Sequence, residues 1–147
     1  RAQVRCMKAF LDTSSLIKLY HQEEGSDFVT EVLSNDVEEI FLSELAVLEF
    51  RSALWKKIRK KEIEEKNALE VIGCFETDSN KFQWILLQSD LVKSASRLLM
   101  KHGSRGLRTL DSLQLATALT LKHEECVFLT SDKLLRTLFE KEKLNFA

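Results

Sequence analysis

Four acids stand where a sequence of this kind can put carboxylates to work. Asp12 ends the short apolar run "MKAFLD", Asp132 follows the run "CVFLTS", Asp111 opens "LDSLQLATAL", and Glu49 lies inside "ELAVLEFRSAL". Asp111 is followed by Leu113, Leu115, Ala116, Ala118 and Leu119, an apolar surface that a helix would bury. Glu49 has Leu45 and Ala46 one turn before it and Ser52 and Ala53 one turn after, with no cation on its face before Lys56. Carboxylates in such surroundings need a partner, because isolated buried charge is costly. Each could be explained singly, as a cap or a charge in a first helical turn. Gathered together they repel one another, and a cation would relieve that repulsion. An oxygen-only set without His or Cys favours Mg²⁺ or Mn²⁺ over zinc. Such an ion activates water and offsets charge on a phosphoryl group.

The elements that must position these acids alternate. Short apolar strands are expected at 7–12, 38–43, 81–87 and 126–130, with a further strand at 143–147. Helices are expected at 13–21, 25–35, 44–61, 62–80, 89–103, 109–119 and 131–142. Ser43, Ser89 and Thr109 are expected as N-caps, and Gly103 as the stop of the helix before it. Strands alternating with helices imply parallel pairing, and the expected fold is a doubly wound, three-layer α/β/α sandwich. In such sheets ligands sit beyond the carboxyl ends of the strands, which is where Asp12 and Asp132 fall.

Composition narrows the alternatives. The chain has 147 residues, enough for one domain over 7–147 with a core of its own, and residues 1–6 are read as an N-terminal extension or an expression remnant. Its three cysteines and three histidines are scattered, which argues against a disulfide framework or a structural zinc. No run approaches the ~18 apolar residues of a membrane span, and no signal-peptide pattern opens the chain, so a cytoplasmic protein is expected. The net charge of −1 makes the whole molecule no trap for nucleic acid, although local basic groups exist. Lys56, Lys57, Arg59, Lys60 and Lys61 follow Glu49, and Lys101, His102, Arg105 and Arg108 lead into Asp111. Lys101, Arg105 and Arg108 are the favoured phosphate contacts. Trp55 and Trp84 read as core or interface residues.

In order along the chain, "FLDTSSLIKLY", "ELAVLEFRSAL", "LRTLDSLQLATAL" and "FLTSDKLL" resemble the motifs of PIN-domain ribonucleases, above all the toxin subunits of type II toxin–antitoxin modules. The resemblance implies a five-stranded parallel sheet and metal-dependent endonucleolytic cleavage of RNA. It matches the family acids to Asp12, Glu49, Asp111 and Asp132, and the site hydroxyls to Thr13 or Ser14 and Thr130 or Ser131. It further implies Mg²⁺ or Mn²⁺ held chiefly by Asp12 and Asp111, and a water, aligned by Glu49 or a second metal, attacking phosphorus in line. Asp132 would act directly or through water. An antitoxin partner and a homodimer are also implied, using apolar surface on the helices at 13–36 or 43–80. Two other phosphoryl-transfer patterns fail: Ser14 stands where a haloacid-dehalogenase-type phosphatase needs a second Asp, and a receiver-type acidic pair is missing. The remaining alternative is a non-catalytic PIN-like module that binds RNA or protein.

Overall fold

The computed structural model describes residues 7–35 and 37–147. The reading of 1–6 as an extension lies outside the described residues. Four parallel strands form one sheet in the order β3–β2–β1–β4: β1 Met7–Leu11, β2 Val37–Ser43, β3 Gln83–Ile85 and β4 Cys126–Leu129. Among the described residues seven α-helices accompany them, the last following β4: α1 Thr13–Leu16, α2 Ser26–Ser34, α3 Ala46–Arg59, α4 Glu65–Asp78, α5 Ser89–His102, α6 Thr109–Leu119 and α7 Lys133–Lys141.

Period-2 alternation along β1 and β4 explains the three layers. Phe10 and Phe128 point to one face, where Leu91 and Leu98 of α5, Leu115 of α6, and Leu138 and Phe139 of α7 cover them. Ala9, Leu11, Val127 and Leu129 point to the other face, against Leu16, Phe50 of α3 and Phe75 of α4. Both faces are buried, which is why these strands read as nearly continuous apolar runs. The expected α/β/α sandwich is the fold observed.

The fifth strand is the least developed element. Lys143, at φ +60, turns the chain back from α7 towards β4. Phe146 then makes a single parallel bridge to Phe128, with Phe128 N donating to Asn145 O at 2.9 Å and Ala147 N to Phe128 O at 3.1 Å. The direction is parallel as expected, but the pairing amounts to one bridge and not a full strand. All four capping expectations are corrected. Thr109 is the first residue of α6 and Arg108 its cap, with no side-chain capping bond. Ser89 likewise opens α5 behind Gln88. Gly103 has φ −58, so the chain continues through a 3₁₀ turn, and Gly106 at φ +94 makes the left-handed break. Ser43 is not the cap of α3 either: Leu45 takes that place without a side-chain capping bond, and Ser43 Oγ accepts from Leu45 N at 3.1 Å in the turn before the helix.

Strand order locates the site. From β1 the chain winds through β2 to β3 on one side, then returns to place β4 on the other side of β1. The order reverses between β1 and β4, and the crevice beyond their carboxyl ends is the expected ligand position.

Candidate active site

Leu11 is paired in register with Leu129, so the residues that follow, Asp12 and Thr130, are neighbours across the crevice. Asp12 N donates to Leu129 O at 3.2 Å, extending the ladder into the site. The Asp12 carboxylate is 3% exposed. Its Oδ1 accepts from Ser14 Oγ at 2.7 Å and from Ser15 N at 3.1 Å, and its Oδ2 accepts from Thr130 Oγ1 at 2.5 Å. Burial pushes the Asp12 carboxyl up to about 6; the bonds from Thr130, Ser14 and Ser15 oppose that rise and the charge of Asp132 adds to it. Asp12 also caps α1, which accounts for one bond and not for the others.

Asp132 sits three residues beyond β4. Its Oδ1 accepts from Leu135 N at 2.9 Å and caps α7, while its backbone N donates to Thr130 Oγ1 at 3.1 Å. Asp111 lies in the first turn of α6, half-buried. Burial raises its pKa, and Asp132 and then Glu49 raise it further against the opposing pull of Arg108. Asp111 is thus within electrostatic reach of both acids. Glu49, on α3, accepts on Oε1 from Thr13 Oγ1 at 3.1 Å and from Gln114 Nε2 at 2.7 Å. Among the described residues none of the four acids takes part in an ion pair.

All four acids therefore face one edge of the sheet, brought there by two strand ends and two helices. The donor set fits a hard divalent cation: it is oxygen-only and mutually repulsive, with hydroxyls alongside. Among the described residues no three His, Cys, Asp or Glu side chains are close enough to form a ready cage for a metal ion. Binding a cation would require the carboxylates to draw inward. The hydroxyls divide as the bonds show: Ser14 and Thr130 hold Asp12, Thr13 holds Glu49, and Ser131 Oγ meets Ser15 Oγ at 3.4 Å.

Two grooves meet at Glu49 and Leu110. One, of about 770 Å³, runs along α3 and is lined by Thr13, Ser14, Ser131, Lys56, Arg59 and Lys60 among others. The other, of about 600 Å³, is lined by Arg108, Asp111 and Leu107. Within the first groove Lys18 and Lys57 are both bound to Glu23, at 3.2 and 2.5 Å, whereas Lys56, Arg59 and Lys60 enter no ion pair among the described residues. Of the favoured phosphate contacts, Arg108 is at the site. Lys101 is bound to Glu142 at 2.7 Å and lines a separate hollow with Arg97 and Thr120, and exposed Arg105 approaches the buried His102. The basic end of α3, the less favoured group in sequence, lines the groove that contains Glu49. Gln114 is a site residue that the sequence reading does not single out. Its signal is a long polar residue three places after Asp111, set between Leu113 and Leu115.

These features define a parallel α/β protein with a carboxylate-lined crevice at its topological switch point. The PIN-domain family model matches residues 9–138, and the chain belongs to that family. No curated protein matches the chain in sequence. Among solved structures, VapC20 of Mycobacterium tuberculosis, a sarcin-ricin-loop-cleaving toxin, superposes with a TM-score of 0.66 at 14% identity, covering 88% of this chain and 94% of that one. VapBC-1 of nontypeable Haemophilus influenzae gives 0.65 at 14% identity over 96% and 97%. FitAcB of Neisseria gonorrhoeae gives 0.65 at 14% identity over 94% and 95%. At such identity the likeness shows the shared fold.

Proposed function

We propose that the chain is a divalent-metal-dependent endoribonuclease, acting in the cytoplasm as the toxin of a toxin–antitoxin pair. The observation that carries this reading is Asp12. Its carboxyl is buried at the switch point and raised to about 6, the charge of Asp132 adds to that rise, and it has no cationic partner among the described residues. A structural acid would be expected to have found an Arg or Lys. Family membership and the likeness to toxin structures support the same reading. The Haemophilus and Neisseria structures are toxin–antitoxin assemblies, VapBC-1 and FitAcB, which favours an antitoxin partner here and allows a homodimer.

In this mechanism Asp12, Asp111, Glu49 and Asp132 would hold Mg²⁺ or Mn²⁺. When bound, the ion supplies Lewis acidity, making water a better nucleophile and offsetting charge at the scissile phosphate. The rest falls to the chain. Ser14, Thr130 and Ser15 N–H fix the Asp12 carboxylate so that it faces the crevice in one orientation. Glu49 has Oε1 engaged and Oε2 free of hydrogen bonds among the described residues, and is placed to take the proton of the attacking water. Lys56, Arg59 and Lys60 on one side, and Arg108 on the other, contact phosphates flanking the scissile one. The non-catalytic alternative predicts binding without cutting.

The test is incubation of purified protein with a panel of structured and single-stranded RNAs, and matched DNAs, in Mg²⁺, in Mn²⁺ and in EDTA. Internal cleavage of RNA that EDTA abolishes is expected. RNA that is retained but never cut, in either metal, would favour the binding module instead.

A further inference from the structure

Three polar side chains are buried inside α6, and two of them are satisfied within the helix. Ser112 Oγ donates to Thr109 O at 2.6 Å and Thr117 Oγ1 to Leu113 O at 2.7 Å. Gln114, 2% exposed, behaves differently. It reaches across to two other helices, donating from Nε2 to Glu49 Oε1 at 2.7 Å on α3, with Thr13 Oγ1 of α1 at 3.5 Å. Thr13 donates to the same Glu49 oxygen at 3.1 Å. Three helices thus meet at one carboxylate oxygen, and the other oxygen of Glu49 takes no hydrogen bond among the described residues.

The far end of the amide shows what this arrangement costs. Gln114 Oε1 is buried and has no partner among the described residues. An orphaned carbonyl is unfavourable, and an unbranched apolar side chain of similar length would remove the orphan and fill the space. Turning the amide over offers no escape, because Oε1 would then face a carboxylate. The amide is therefore a poor choice for packing and a good one for holding Glu49.

We propose that Gln114 is a positioning residue for Glu49: with Thr13, it fixes the Glu49 side chain so that its free oxygen faces the cation and the attacking water. This rests on the nuclease reading of the site. Hydrogen-bond partners of metal-site ligands act in this indirect way generally.

The experiment is a double-mutant cycle on the whole chain, comparing wild type, Gln114→Met, Glu49→Gln and the double variant. Each is followed by metal-free melting, by calorimetric titration with Mn²⁺ and by single-turnover RNA cleavage. Gln114→Met is expected to melt at or above the wild-type temperature, yet lose about ten-fold in Mn²⁺ affinity or cleavage rate, with KM for RNA unchanged. In the Glu49→Gln background the same substitution is expected to change Mn²⁺ affinity and rate far less, since the charged ligand that Gln114 orients is gone. Thr13→Val, which removes the second donor to the same oxygen, should repeat the pattern and serves if Gln114→Met does not fold. Wild-type Mn²⁺ affinity and rate in Gln114→Met, or an equal loss with and without Glu49, overturns the proposal. Mn²⁺ binding with coupled losses but no RNA cleavage keeps the positioning role and overturns the nuclease. A wild-type chain that binds no Mn²⁺ overturns both.

Discussion

At the scale of single residues, Asp12 links stability to function with opposite signs. In the unfolded chain it ionises near 3.8, whereas in the folded, metal-free protein burial holds it protonated up to about 6. The native state therefore binds the proton more tightly, and stability is lost as pH rises from about 4 through about 6. Replacing Asp12 by Asn keeps a capping side chain and removes the charge. At pH 7 without metal it should stabilise the fold by up to about 3 kcal/mol, from a rise of about two pKa units at ~1.4 kcal/mol each. Thermal melting in EDTA at pH 4.5 and 7 checks this: the gain should be largest at pH 7 and fall to about a third of that at pH 4.5. Asp111→Asn should also raise the metal-free melting temperature, since burial, Asp132 and Glu49 all disfavour its charge. A fall of the size expected for a lost helix cap, ~1 kcal/mol, would make Asp111 a structural residue.

At the scale of elements, the acids are carried by parts that the sequence marked unequally. Asp12 and Asp132 were legible because short, largely apolar runs end just before them, and strand ends are where such folds place ligands. Glu49 was legible only as an acid without a cation on its own helix face; its partners, Thr13 and Gln114, come from 36 and 65 residues away and leave no local pattern. The basic groups illustrate the same limit. Lys101 precedes Asp111 by ten residues yet points to Glu142, because α5 turns away from the crevice before α6 begins. That turn depends on Gly106, at φ +94, where an added Cβ would meet nothing nearer than Leu134 Cδ2 at 4.0 Å. Space is available, so only the left-handed backbone resists substitution. Gly106→Ala should cost about 1 kcal/mol of stability, read by denaturant unfolding, with no loss of Mn²⁺ affinity once folded.

At the scale of the whole molecule, a net charge of −1 hides a divided surface. The acids occupy the crevice, and Lys56, Arg59 and Lys60, unpaired among the described residues, lie along the groove that opens from it. Affinity for a strand in that groove should depend on released counterions, with the logarithm of affinity falling linearly against the logarithm of salt. Replacing Lys56, Arg59 and Lys60 by Gln should weaken RNA binding at low salt and flatten that slope by about 0.7 for each phosphate no longer neutralised. Filter binding across a salt series in EDTA measures it without cleavage. An unchanged slope would send the strand to the Arg108 side. Beyond the groove, Leu48, Trp55 and Leu69 are exposed on α3 and α4, the region expected to serve an antitoxin or a second copy.

Whether these carboxylates hold a divalent cation that drives RNA cleavage is decided most directly by single-turnover kinetics. One susceptible RNA would be cut by wild type, Asp12→Asn and Asp111→Asn across a Mn²⁺ titration. Rates should rise with Mn²⁺ in wild type and stay near background in both variants, although both variants melt at or above the wild-type temperature. Cleavage that persists in either folded variant, or that ignores Mn²⁺, would contradict a carboxylate-held metal as the source of the activity.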